Sequence, residues 1–245
     1  MTSHEPVRVV IHGASGRMGQ SLLRLINGWP GLRLVAAVAG HQAPQLQGVP
    51  GFTRDQLERL PEFDVAIDFS LPVAFDGILA ICLQRKAALV SGTTGLSAEQ
   101  FVRLDAAATH IPVCWAANFS LGVAVLSELV QRAAQAVPDW ACDIVESHHI
   151  HKKDAPSGTA LALGQAVLDG GGAQPHYASL RAGDIVGEHL VQLTGLGERL
   201  ELIHRASNRD IFARGALHCA AGLAARSAGR WRVIELLDRN DTSPV

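Results

Sequence analysis

Three features of the sequence predict an α/β fold. β-Branched strands alternate with helical runs from Val7 to Phe119, a glycine-rich turn follows the first strand, and after Pro138 the pattern changes to extended stretches around one helix. Alternating strands and helices argue for a parallel, doubly wound sheet, and the later segment for a separate α+β domain with a mostly antiparallel sheet. With 245 residues, 48% of them hydrophobic and 18% charged, the chain can build two modest cores.

Val7-Arg8-Val9-Val10-Ile11 is the first strand, leading into Gly13-Ala14-Ser15-Gly16-Arg17-Met18-Gly19. Leu22, Leu23, Leu25 and Ile26 then mark a helix that ends near Asn27-Gly28. In this context backbone N–H groups and the helix N-terminus can hold a pyrophosphate, as in a Rossmann-like dinucleotide-binding domain. The spacing is G-x-x-G-x-x-G, and the commoner fingerprint is G-x-G-x-x-G. Arg17 either sets a cation against phosphate or is a solvated residue of the first helical turn.

Leu32 to Val38 is the second strand, and it ends in Ala39-Gly40-His41, where such folds usually place a carboxylate on the adenosine ribose. Gly48 to Leu60 links onward, with room for a helix from Asp55 to Leu60. Asp64 to Ser70 is the third strand, and Leu71-Pro72 opens a helix to about Lys86. The strand Ala87 to Ser91 ends in Gly92-Thr93-Thr94-Gly95, and Ser97 with Gln100 makes a capping box for a helix to His110. Pro112 to Ala117 is a further strand, closing with Asn118-Phe119-Ser120. Gly13, Ser70, Gly92 to Thr94 and Ala116 to Phe119 therefore all fall at the carboxyl ends of strands, where ligands of parallel sheets lie. Taken singly, each is more readily a turn former.

Leu121 to Val137 is a helix stopped by Pro138-Asp139. Cys142 to His151 is a strand, Pro156 to Leu168 a buried helix, and Gly170-Gly171-Gly172 a break. Three extended stretches follow, Tyr177 to Val186, Glu188 to Thr194 and Arg199 to Arg205. Turns at Gly187 and Gly195 to Gly197 would join them as an antiparallel meander. Phe212 to Arg226 is an alanine-rich helix and Val233 to Leu237 a last helical piece, both expected to return to the first domain. The chain is thus divided into residues 1–119 with 210–245, and residues 120–209.

The segment from Glu146 to Ala160 carries the chemistry. Three of the eleven histidines, His148, His149 and His151, stand within four positions, with Lys152 and Lys153 beside them. Asp154 or Ser157 can cap the following helix, and Pro156 suits its first turn because its missing N–H needs no partner there. Gly158 removes a side chain where an anion would approach the backbone. Cationic side chains beside orphan helix N–H groups make a site for a small carboxylate or phosphate, with titratable groups close enough to move protons. A metal on His149 and His151, facing alike on a strand, is the rival, but zinc wants more ligands and adjacent lysines repel a dication. A purely structural polar patch is the other alternative.

The net charge of −2 argues against a nucleic-acid surface. Met1 to Pro6 shows no signal-peptide pattern, and no apolar run is long enough to span a membrane. Cys82, Cys114, Cys142 and Cys219 are scattered, as expected of reduced thiols in a cytoplasmic protein.

The glycine turn, Ser91 to Gly95, Ala116 to Ser120, His148 to Ala160 and Arg181 to His189 occur in an order that resembles the dihydrodipicolinate (4-hydroxy-tetrahydrodipicolinate) reductase family. The resemblance implies hydride transfer from NADPH or NADH to C4 of a cyclic, unsaturated dicarboxylate, with loss of water from the 4-hydroxy substrate. It further implies His148 as catalytic acid/base and Lys152 as proton donor. His149, Lys152, Ser157, Gly158 and Thr159 would hold the substrate carboxylates, and no metal is implied. Gly13, Ala14, Ser15, Gly16, Arg17, Met18, Gly92, Thr93, Thr94, Ala116, Ala117, Asn118 and Phe119 would contact the cofactor. Residues 120–209 would then be the substrate-binding and oligomerisation domain of a homotetramer built through its sheet. The chain departs from the family at Ala39-Gly40, where an acidic residue is common, and in its short segment between Leu168 and Ala178. Two other readings share the first domain, a non-catalytic nucleotide sensor and a dehydrogenase of another amino-acid precursor. Neither accounts for the His-Lys segment.

Overall fold

The computed structural model describes residues 5–237; the ends of the expected first domain, 1–4 and 238–245, lie outside the described residues. In chain order the elements are β1 (Val7–His12), α1 (Arg17–Ile26), β2 (Leu32–Ala39), β3 (Gly51–Thr53), β4 (Val65–Asp68), α2 (Pro72–Arg85), β5 (Ala88–Ser91), α3 (Ala98–Ala108), β6 (Pro112–Trp115), α4 (Leu121–Ala136), β7 (Ala141–His148), α5 (Gly158–Asp169), β8 (His176–Arg181), β9 (Gly187–Gly195), β10 (Glu198–Ala206), α6 (Asp210–Leu223) and β11 (Gly229–Arg230). The link to Leu60 forms a 3₁₀ turn, Arg54–Arg59, and the last helical piece is a 3₁₀ turn, Ile234–Leu236.

Two compact units result, one up to Phe119 and again from Phe212, the other from Ser120 to Ile211. The first unit holds a seven-stranded sheet in the order β11-β6-β5-β4-β1-β2-β3, every pairing parallel. The order reverses at β1, which opens a crevice at the carboxyl ends of β1 and β4. These strands are buried on both faces and read as continuous apolar runs, with Val9, Val10, Ile11, Val65, Ala66 and Ile67 at 0% exposure. Phe75, Ile78 and Leu104 pack from α2 and α3. The capping box opens α3: Ser97 Oγ accepts from the Gln100 N–H at 3.3 Å, and Gln100 Oε1 accepts from the Ser97 N–H at 3.1 Å.

The second unit has a four-stranded sheet in the order β10-β9-β7-β8. β9 runs antiparallel to both β7 and β10, but β8 runs parallel to β7. The sheet is therefore mixed, and the expected antiparallel meander holds only for the β9–β10 hairpin. The chain reaches β8 through α5, and a helical crossover returns a strand parallel to its predecessor. On β7, Cys142, Ile144, Glu146 and His148 alternate inward. Ile144 meets Leu126 and Val130 of α4 and Leu163 and Val167 of α5 in the core. Truncating Ile144 to Ala would cost about 2–5 kcal/mol.

Candidate active site

β7 ends in an unusual way: its first two inward positions are apolar, its last two are Glu146 and His148. Glu146 is fully buried and His148 is 8% exposed. A buried carboxylate needs partners, and Arg181, Ser157 and His148 give Glu146 four hydrogen bonds, with Ser179 beside them. Arg181 Nη1 and Nη2 donate to its two oxygens at 2.9 and 2.8 Å, the Ser157 N–H donates at 3.2 Å, and His148 Nδ1 bonds to Oε2. Burial alone would raise the Glu146 carboxyl, but hydrogen bonds from Arg181, Ser179 and His148 more than reverse this and hold it at about 2. The carboxylate is thus ionised at neutral pH and accepts the His148 Nδ1–H. That leaves Nε2 as the nitrogen able to exchange a proton, and a Cβ on Gly187 would lie 3.1 Å from it.

Beyond His148 the strand stops. The Ala182 N–H bonds to the His148 carbonyl and the Lys152 N–H to the His149 carbonyl, so His149 to Lys152 form a turn. His149 and His151 consequently do not share a strand face; their rings are 6.1 Å apart and tilted. Among the described residues no group of three or more His, Cys, Asp or Glu is arranged to hold a metal. His149 Nε2 accepts from Arg209 at 3.1 Å, and burial, then the charge of Arg209, lowers its basicity. Lys152 Nζ reaches both Asp154 oxygens at 2.9 and 2.8 Å.

The helix α5 begins with Ser157 as its cap, its Oγ accepting from the Ala160 N–H at 3.2 Å. Asp154 is engaged by Lys152 instead, and Pro156 precedes the cap, outside the first turn. His189 Nε2 lies 3.2 Å from Ser157 Oγ. Burial pushes His189 down to about 4, so it is neutral. A Cβ on Gly158 would meet nothing within 4 Å, so the backbone there faces open space. Thr159 is half-buried on the next position. His148, His149, Lys152, Ser157, Gly158 and Thr159 are thus gathered around one strand end and one helix start.

In the first unit, Gly13 adopts φ +84° and its N–H, with that of Ala14, bonds to the Val38 carbonyl at 3.0 and 2.9 Å. A Cβ on Gly13 would run into the Phe69 backbone. Gly16 caps α1 without a side-chain bond, no acidic residue stands in the first turn, and Ser15, Gly16 and Arg17 are exposed. Met18 is half-buried beside them. That helix start suits an anionic ligand. A cleft of about 410 Å³ adjoins it, lined by Ser15, Gln20, Ala39, Gln42, Pro44 and Gln45, with no charged residue.

Two of the expected cofactor residues have structural work. Thr93 Oγ1 donates to Asp68 at 2.8 Å, in a buried knot where Asp68 also meets His12 at 2.8 Å and Ser91 at 2.8 Å. Gly92 leaves room for the Phe69 ring, which packs edge-on against Phe119 at 5.6 Å. Thr94 and Ala117 are exposed, while Ala116 and Asn118 are half-buried.

The sequence reading did not single out Glu146, Arg181, His189 or Arg209. Glu146 carried a signal, being a carboxylate in the buried register two positions before His148. Arg181 stands in a segment that carries the family resemblance, but nothing local points to its partner, which lies 35 positions away.

A parallel doubly wound sheet with an anion-receptive helix start, joined to a unit that gathers His, Lys and helix N–H groups, defines a dinucleotide-dependent oxidoreductase of a small acid. The sequence matches the family profiles described as Dihydrodipicolinate reductase, N-terminus over residues 7–119 and Dihydrodipicolinate reductase, C-terminus over residues 122–237. It is 65% identical over 235 residues to the 4-hydroxy-tetrahydrodipicolinate reductase of Stenotrophomonas maltophilia (strain R551-3), covering 95% of this chain and 98% of that one. Identity to the enzyme of that name from Xanthomonas campestris pv. campestris (strain B100) is 62% over 234 residues, with 95% and 98% covered. The dipicolinate-bound dihydrodipicolinate reductase of Paenisporosarcina sp. TG-14 shares the fold with a TM-score of 0.79 at 22% identity, over 95% of this chain and 99% of that one. The chain belongs to the dihydrodipicolinate reductase family.

Proposed function

We propose how the residues of this chain carry out the NAD(P)H-dependent reduction of 4-hydroxy-tetrahydrodipicolinate to tetrahydrodipicolinate in lysine and diaminopimelate biosynthesis. The reaction consumes one NAD(P)H and one proton and releases NAD(P)⁺ and water. The observation that carries the residue roles is His148, whose Nδ1 is bound to the ionised Glu146 and whose Nε2 is left to exchange a proton.

The bound dinucleotide supplies the hydride that adds at C4. Ser15, Gly16, Arg17 and Met18 hold its pyrophosphate, with Thr94, Ala116, Ala117 and Asn118 as further contacts and Gly13, Ala14, Gly92, Thr93 and Phe119 shaping the backbone behind them; the Gly13 and Ala14 N–H groups are bound to Val38, and Ala14 is fully buried. The α1 start at Gly16, with no side-chain cap bond and no acidic residue in its first turn, favours that assignment. His149, Lys152, Gly158 and Thr159 hold the two substrate carboxylates, by charge and by the α5 N-terminus, with Ser157 setting that helix start from behind: its N–H is bound to Glu146 and its Oγ caps Ala160. His148 and Lys152 move the proton that must reach the carbon next to the hydride acceptor.

The second unit is the substrate-binding and oligomerisation domain. On the sheet face turned away from α4 and α5, Ala178, Val145, Leu190 and Ile203 stand in register across the four strands, and Ile203 is 44% exposed. This apolar row favours a homotetramer built through the sheet, and Ile203→Arg should shift the mass seen by light scattering downward. The four cysteines are free and buried, which suits the reducing cytoplasm. Among the described residues no helix is long and apolar enough to cross a membrane.

The direct test follows NAD(P)H absorbance while the substrate is generated from pyruvate and aspartate semialdehyde by the preceding enzyme. Loss of absorbance that requires both the chain and the fresh substrate is expected. No loss with either cofactor would end this reading.

A further inference from the structure

We propose that Glu146 and Arg181 are positioning residues of the reaction: Glu146 fixes the tautomer of His148, and Arg181 ties that carboxylate to the loop bearing Lys152. The inference rests on the reading that His148 exchanges the proton. A buried Arg–Glu pair by itself says little, because well-packed apolar residues would stabilise a core as well. What distinguishes this pair is where its remaining bonds go.

Glu146 accepts from Arg181 twice, from the Ser157 N–H once and from His148 Nδ1 once, so it links the strand end, the α5 cap and the imidazole. With Nδ1–H committed, neutral His148 presents its lone pair at Nε2. The groups facing His148 from neighbouring elements are Arg181 on β8 and His189 and Gly187 on β9. None of these is a carboxylate, and Glu146 is the acceptor bound to His148 Nδ1, so Glu146 holds the Nδ1–H tautomer.

Arg181 has a second task. Its Nη2 donates to the Asp154 carbonyl at 2.6 Å and its Nε to the Lys152 carbonyl at 3.3 Å. One guanidinium therefore joins the carboxylate behind His148 to the backbone on which Lys152 sits. A lysine at position 181 would keep the charge but lose the planar fork that makes both connections.

The wild-type full chain, labelled with ¹⁵N-histidine, provides the first test. The resonances of His148 are assigned by their loss in His148→Gln, and neutral His148 is expected to carry its proton on Nδ1. A proton on Nε2 overturns the proposal whatever any variant does. Kinetics provide the second test. Glu146→Gln can turn its amide toward Nδ1 and impose the other tautomer. Its kcat is expected to fall about 10²-fold or more while KM for NAD(P)H stays within about threefold. Glu146→Asp, which keeps the charge, should recover part of the loss. In the double variant with His148→Gln, the Glu146 change should add less than about threefold, because groups acting as a unit are not additive. A further full-sized drop there would mean that Glu146 serves the fold only, and the proposal would fail. If His148→Gln turns over like wild type, the role of His148 falls instead, and the tautomer measurement still reports on Glu146.

Discussion

Arg181 on β8 reaches back past its register partner His148 to hold Glu146 on β7, with both terminal nitrogens on the carboxylate at 2.9 and 2.8 Å. The parallel β7–β8 pairing makes this reach possible. Had β8 followed β9 in a meander, the arginine would stand one strand too far away. The departure from a mostly antiparallel sheet is therefore also what completes the site.

Acid stability should carry the signature of this cluster in two windows. His189 is held neutral, with its ordinary value of 6.5 lowered to about 4. The unfolded chain then binds more protons than the native one, so stability is full above the first value and falls as pH drops toward the second. Glu146, lowered from 4.5 to about 2, contributes stability that is present above the first value and lost as pH falls through the second. Hydrogen exchange of β7 and β9 amides across this range should show both. His149 and His204 are lowered in the same direction and share the upper window, so His189→Asn should reduce that window and leave the lower one unchanged. Equal loss of protection from 6.5 to 4 in wild type and His189→Asn would show that His189 is not buried neutral.

Replacing His148 with Gln should lower turnover by about 10² or more and leave cofactor affinity nearly unchanged. Gln fills similar volume and can still bond to Glu146, so the fold around β7 should persist. Turnover at the wild-type level would remove His148 from the mechanism.

For the carboxylate contacts, the informative change is Lys152→Ala. Its ammonium now bonds Asp154 at the surface, where such a pair is worth little, so it can turn to a dicarboxylate at small cost. Binding of pyridine-2,6-dicarboxylate should weaken by about 1.5–3 kcal/mol. Calorimetry giving equal affinities would make the lysine a solvated charge and nothing more.

Gly92 separates packing from cofactor binding. A Cβ there would meet the Phe69 ring, so Gly92→Ala should destabilise the first unit by about 1–3 kcal/mol even without dinucleotide. Phe69→Leu in the same chain should recover much of that loss. If Gly92→Ala melts like wild type and only loses cofactor affinity, contact with the ligand is its main role.

Much of this was legible in the sequence because the signals were local. The Ser97–Gln100 box, the strand–glycine–helix start at Val7 to Ile26 and the His-Lys run each lie within about one element. The mixed sheet was not legible, since the Tyr177 stretch looks the same whether it pairs with β7 or β9. Locally Pro156 suits a first turn, because a cap at Asp154 and a cap at Ser157 are equally good; the Ser157 Oγ bond to the Ala160 N–H and the pairing of Asp154 with Lys152 decide between them. The clamp on Glu146 depends on β8 arriving parallel, so it could not be read before the topology was known.

Cofactor choice turns on Ala39. A carboxylate at the end of the second strand accepts bonds from the ribose hydroxyls of NADH and repels the extra phosphate of NADPH. Here Ala39 lines a cleft whose other walls are neutral, Ser15, Gln20, Gln42, Pro44 and Gln45 among them. NADH thus lacks one favourable contact and NADPH lacks a like-charge penalty. His41 and Arg54 are not among the lining residues, and Arg54 stands 3.8 Å from Asp55, so neither is placed to clamp the extra phosphate. Both cofactors should work, with NADPH at least as good as NADH. Ala39→Glu would project a carboxylate into the cleft, and the ratio of kcat/KM should move toward NADH by about tenfold, the effect of one charge-assisted contact. Both cofactors must be compared on both proteins at one salt concentration, because screening weakens the penalty. A wild type that strongly prefers NADH would show that another group reads the ribose, and the argument from Ala39 would fall.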